Sequence, residues 1–288
     1  MIGWEQFIEV MGMPAVQRAA IALLVGSIGL PLVGVMIIGL NIVPVRFAMM
    51  HVALLGIAVG IVTGLDPLLC ALVACAITGG ALTPLARTPG GLSGATGLLM
   101  SMAMAAALLL IAISGINAAH TFGLLWGSIL GVSIGDIVLV SALAIAVPAL
   151  LIWGRGRIAV LFASRELAVA AGIRVNLLTG AMLVLIAIAI ATGMQLTGAL
   201  LVDALTLLPA LAARRLGRTL RSICWWAVII SLASSTIGFL VAILFDLPPG
   251  PVLVLVAGAI ALAVNLTPKK GTTPSWQPTP EPAPVSHS

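Results

Sequence analysis

"GALLVDALTLLPALAARR", residues 198–215, is aliphatic or small almost throughout, yet it holds Asp203 near its centre and ends on Arg214 and Arg215. Arg218 and Arg221 follow closely. An apolar run closed by basic residues reads as a membrane span that reaches the cytosol. The carboxylate is out of place there, because an Asp at the centre of a span costs roughly 2.5–3.5 kcal/mol on insertion scales. Such a residue calls for a partner or a function.

Composition agrees with the membrane reading. Of 288 residues 61% are hydrophobic and 7% charged, against about 25% charged in soluble domains. The chain is a polytopic membrane protein. Its net charge of +5 comes from basic residues gathered between apolar runs, so it reports orientation and gives no reason to expect a nucleic-acid partner. The start, "MIGWEQFIEVMG", places two acids and no basic segment before the apolar run, which argues against a cleaved signal peptide. Cys70 and Cys75 lie five residues apart, on different faces of a helix, and read as apolar filler together with Cys224.

Apolar segments of spanning length fall near 19–40, 47–65, 67–84, 96–113, 134–152, 176–193, 196–213, 222–245 and 250–266. Several fall short of the ~20 residues a perpendicular helix needs. Residues 121–132 read as a half-helix, and eight or nine transmembrane helices are expected. The Pro-, Ser- and Thr-rich end has little to bury and is expected to be disordered. The domains are therefore a transmembrane region over 1–266 and a tail over 267–288.

Arg155, Arg157, Arg165 and Arg174 share one connection and Arg214, Arg215, Arg218 and Arg221 another. The two spans between them are expected to turn at "TGMQL" (192–196), which puts both loops on one side, the cytoplasm. The C-terminus is then cytoplasmic, Asp246 is outside, and Arg46 and Arg87 count as inside charges; only Arg18 breaks the rule. Asp66, Asp136 and Asp246, at span ends, read as solvated caps. In the first basic loop, Ser164 is an N-cap candidate, Glu166 an acid in the first turn and Gly172 a stop. This short helix reads either as a docking element, with small residues such as Ala168 permitting close approach, or as an amphipathic connector at the lipid surface.

"ASRELAVAAGIRV" (163–175), "TGALLVDALTLLPALAARRLGR" (197–218) and "SSTIGFLVAILFDLPPGPVLVLVAG" (234–258) resemble the permease subunits of ABC transporters that import zinc, manganese or iron. "LLWGSILGVSIGD" (124–136), "MPAVQRAAIALLVG" (13–26) and "RFAMMHVALLGIAVG" (46–60) are similar to further segments of that family, in the same order. The resemblance implies an all-α permease whose short cytoplasmic helix, here Ser164, Arg165, Glu166, Leu167, Ala168 and Gly172, couples it to a separate ATPase. It also implies a second permease copy, a homodimer or close pair, and an external metal-binding protein that delivers a divalent ion, zinc or manganese by preference. ATP would be bound on the partner, and this chain has no G-x-x-x-x-G-K-[ST] stretch of its own. No resident cofactor and no enzymatic activity are expected.

The departures from the family pattern set the candidate metal residues. The family's second helix carries an acid four residues before its histidine, so that both face a passing cation. This chain has His51 but Phe47 in the acid's place, and Asp203 where the family has a small residue. His51 and Asp203 are thus expected on a common translocation path. Depth agrees only in part: Asp203 lies eleven residues from Arg214, about 16 Å at 1.5 Å per residue, while His51 is about 8 Å shallower unless Arg46 is drawn inward. The alternatives are a protonated Asp203 bonded to Thr206, or to a carbonyl freed by Pro209, and an ion-coupled secondary transporter using Asp203 as its proton or cation site. Met49, Met50, Met100, Met102 and Met104 read as packing.

Overall fold

The nine apolar segments form eight helices, with two short helices between them, in a computed structural model that describes residues 9–84, 91–114 and 131–266. In chain order these helices are α1 (Pro14–Gly39), α2 (Val43–Thr63), α3 (Pro67–Leu82), α4 (Gly91–Ile113), α5 (Ile134–Trp153), α6 (Arg155–Ala163), α7 (Arg165–Ala170), α8 (Val175–Leu216), α9 (Leu220–Leu244) and α10 (Pro249–Leu266). Helix is the form that lets apolar sequence satisfy its backbone inside hydrocarbon. Seven of them have the length and composition to cross a bilayer, with α8 counted for Val175–Met194 alone. The 16-residue α3 and the later part of α8 are what an eight- or nine-span count adds. The expected half-helix at 121–132 and the tail at 267–288 fall outside the described residues, apart from 131–132.

Several helices open on local start signals. Pro14, Pro44 and Pro67 occupy first-turn positions, where a missing N–H costs nothing. Asp66 accepts from the backbone N–H of Leu68 and Leu69 at 2.8 and 3.0 Å. Asp136 and Ser133 form a capping box. Asp66 and Asp136 are caps, as the sequence reading has them, whereas Asp246 stands in a left-handed turn, with φ 51°, before α10.

Burial separates a centre from a rim. α1 is 78% buried over its apolar window, whereas α4, α5 and α10 are 22% buried and turn aliphatic faces outward, as lipid-facing helices do. α1 packs closely on α8: a side chain at Gly34 would overlap the Thr206 carbonyl oxygen. Ser27 of α1 and Ser235 of α9 share a hydrogen bond of 2.7 Å.

The break inside α8 corrects the expected turn. Helix continues through 192–196, and the backbone leaves helical geometry at Gly198, with φ 79° and ψ 162°. That region is open essentially to glycine alone, and "TGMQL" holds no residue asked to adopt it. The chain bends strongly here, since a side chain at Gly193 would stand 3.0 Å from Val202 Cγ2. A straight helix would separate residues nine apart by about 13.5 Å. Gly198→Ala is therefore expected to destabilise the fold by roughly 1–3 kcal/mol. Gly94→Ala, in open space within α4, is the control and should leave the thermal midpoint in detergent unchanged or raised. Equal midpoints for the two variants would rule out a strained hinge.

Candidate translocation site

Asp203 follows the Gly198 break by five residues and meets Arg46 of α2 in an ion pair. Arg46 is 2% exposed and Asp203 33%. Asp203 Oδ1 is buried, so the carboxylate's exposure belongs to the rest of the side chain. Ionisable residues inside a membrane pair with one another because neither hydrocarbon nor a helix backbone can compensate a lone charge. The guanidinium also lies over the Phe47 ring, 4.2 Å from its centroid, a cation–π arrangement. Arg46 is held between a carboxylate and an aromatic face.

These contacts change two sequence expectations. Arg46 is no loop charge: Pro44 opens α2 ahead of it, so it lies in the first turn and is buried against the neighbouring helix. Asp203 pairs with Arg46 and not with Thr206, whose hydroxyl donates to the Val202 carbonyl at 2.6 Å. Sequence reasoning missed Arg46 as a site residue, and the signal that could have found it was a proline at the start of an apolar helix with an arginine two positions later.

His51 lies about 1.4 turns beyond Arg46 and so about 140° round the helix. It shares its face with Phe47, and the structure records no contact between His51 and Asp203. His51 Nδ1 is 2.7 Å from the Phe47 carbonyl oxygen. A carbonyl can only accept, so Nδ1 carries the proton and donates, which in the neutral ring leaves the Nε2 lone pair for a ligand. Among the described residues no three His, Cys, Asp or Glu side chains gather as a metal cage. The carboxylate is already paired with a cation, and the imidazole is turned to a different face of α2.

The second candidate region is α7. Ser164 Oγ accepts from the Leu167 N–H at 3.3 Å and donates to Glu166 Oε2 at 2.8 Å. Gly172, with φ 71°, ends the helix, and the Ile173 N–H returns to the Ala168 carbonyl at 3.0 Å. The residues read as cap and stop occupy those places. Ala168 is buried, while Leu167 and Val169 are each 60% exposed. A helix of six residues therefore turns two aliphatic side chains outward, directly ahead of α8. A separate cleft of about 780 Å³ opens between α3, α5 and α8, lined by residues including Gly80, Thr83, Leu150, Asn176 and Gly180. It holds neither His51 nor Asp203.

The sequence model of the ABC 3 transport family matches residues 12–267. The chain belongs to that family. Its relatives there include a probable metal transport system membrane protein of Thermotoga maritima, 29% identical over 207 residues, covering 72% of this chain and 73% of the relative. The high-affinity zinc uptake system membrane protein ZnuB of Haemophilus influenzae is 27% identical over 206 residues, covering 71% and 79%. Among solved structures, PsaBC from Streptococcus pneumoniae in complex with a Fab superposes with a TM-score of 0.77 at 24% identity, over 91% of this chain and 95% of that one. At that identity the likeness establishes a shared fold. An ABC 3 member with this helix order is a multi-pass membrane protein of a transporter.

Proposed function

We propose that the chain is the permease subunit of an importer that carries a divalent metal ion, zinc or manganese, across the plasma membrane with energy from a separate ATPase. The observation that carries this reading is the family match across residues 12–267, which spans every described helix from α1 to α10. The metal transport named for one relative of similar length and the zinc uptake named for another support the cargo. His51 and Asp203 line the path, with the Nε2 lone pair of His51 and the exposed part of the Asp203 carboxylate as transient ligands. One nitrogen and one oxygen donor suit a borderline dication that must be passed on. Two copies of the chain form the conduit, and an external metal-binding protein delivers the ion. The test is metal-dependent growth and radiolabelled uptake in cells lacking their own importer, with the chain and its ATPase expressed together. Saturable zinc or manganese uptake requiring both is expected, and uptake of neither ion would overturn the cargo.

The α7 helix, on the cytoplasmic side with the basic loops and the C-terminus, docks on the ATPase. Its exposed Leu167 and Val169 supply apolar anchors for a partner surface, and its place just ahead of α8 would pass a displacement on to that helix. Replacing Leu167 with Asp, or Glu166 with Arg, should lower co-purification with the ATPase about tenfold or more while leaving membrane insertion intact, as loss of a central interface anchor does. Unchanged co-purification by both variants would discard the docking role.

A further inference from the structure

We infer that Arg46 is a fixed counter-charge that keeps Asp203 from trapping the transported dication, and so sets how loosely this point of the path holds its cargo. The inference rests on the reading of Asp203 as a path residue. Arg46 is buried between Asp203 Oδ1 and the Phe47 ring, and a guanidinium does not shed its proton in proteins. Its positive charge is therefore permanent and immobile. The remainder of the Asp203 side chain is open, with a third of its surface exposed. Among the described residues, the other helices packed on this part of α8 supply no similar charge: α1 carries only Arg18 and α9 only Arg221, each at a helix end, and α3 and α10 carry none. In a low-dielectric setting an unopposed carboxylate holds a dication strongly, whereas conduction needs a site weak enough to leave. A cation within about 4–6 Å of the same carboxylate opposes the incoming ion. Arg46 is thus a positioning residue: it fixes one carboxylate oxygen and lowers the affinity of the other, without touching the cargo.

The experiment uses the full permease–ATPase complex in vesicles, with uptake of labelled Mn²⁺ or Zn²⁺ measured against concentration. Arg46→Gln should lower the half-saturating concentration about tenfold and lower the maximal rate with it, because the ion leaves more slowly. Arg46→Lys should restore both. Equilibrium Mn²⁺ binding to the complex should tighten by the same factor in Arg46→Gln and vanish in Arg46→Gln/Asp203→Asn. A merely structural arginine would lower the amount of folded complex without tightening binding. If Arg46→Gln leaves half-saturation unchanged or raises it while the double variant loses uptake, the counter-charge is overturned and Asp203 stays on the path. Normal uptake by the double variant removes Asp203 from the path and the inference with it. Should Arg46→Gln fail to fold, the exchanged pair Arg46→Asp/Asp203→Arg keeps the ion pair. It should insert normally yet lose uptake, and wild-type uptake by it would overturn the inference.

Discussion

Asp203→Ala, with Arg46 left in place, is expected to damage the fold more than Arg46→Met, with Asp203 left in place. The asymmetry follows from burial. Removing Asp203 strands a guanidinium that is 2% exposed and cannot neutralise itself. Breaking a buried pair in this way costs about 3–5 kcal/mol, a large share of the 5–15 kcal/mol that holds a typical protein together. Removing Arg46 strands a carboxylate that is 33% exposed and can take up a proton or remain in contact with water. The double variant Arg46→Met/Asp203→Leu removes both charges and should recover most of the stability, since apolar replacement of a buried pair is neutral or favourable by about 1–4 kcal/mol. Yield of monodisperse protein and the thermal midpoint in detergent measure all three. Wild-type stability in Asp203→Ala would mean that Arg46 finds another counter-charge, and the ion pair would lose its central place in the site. Stability and transport separate here: the double variant is expected to fold and to fail in uptake.

How much of this was legible beforehand varies with the range of the interaction. The spans were readable because apolar composition is a local property, and the end of α1 differs by one residue between reading and structure. Caps were readable for the same reason: Asp66, Ser133 with Asp136, and Ser164 with Gly172 act within four or so residues of backbone. The bend in α8 was expected but misplaced, because polar residues at 192–196 drew the turn, while the glycine-only backbone conformation falls at Gly198 and Gly193 stays helical. The pairing of Arg46 with Asp203 joins residues 157 positions apart on different helices, and no periodicity encodes it. Counting Arg46 as a loop charge is also what made the expected depths of His51 and Asp203 disagree. Once the arginine is drawn inward, it meets Asp203 directly, while His51 turns to the Phe47 face of α2. The shared face of Phe47 and His51 was legible from their i, i+4 spacing; the opposite orientation of Arg46 follows from the same geometry and was there to be read.

The chain reconstituted alone is expected to accumulate no zinc or manganese against a gradient. A hundredfold gradient requires about 2.8 kcal/mol, and the sequence contains no phosphate-cradling G-x-x-x-x-G-K-[ST] loop to draw that from ATP. The electrical term must be removed before the experiment means anything. An inside-negative potential favours entry of a doubly charged ion by about 4.6 kcal/mol per 100 mV, enough to mimic active uptake through a passive leak. With the potential clamped at zero by potassium and an ionophore, three samples separate the mechanisms. Permease with ATPase and ATP should accumulate the ion. Permease with an ATPase lacking its phosphate-binding lysine should only equilibrate, and so should permease alone. Imposing a pH gradient on permease alone tests the remaining option, because Asp203 serving as a proton site would convert that gradient into metal accumulation. Accumulation driven by the pH gradient without the ATPase would overturn the assignment of the energy source, whatever the fate of the Arg46 and Asp203 variants.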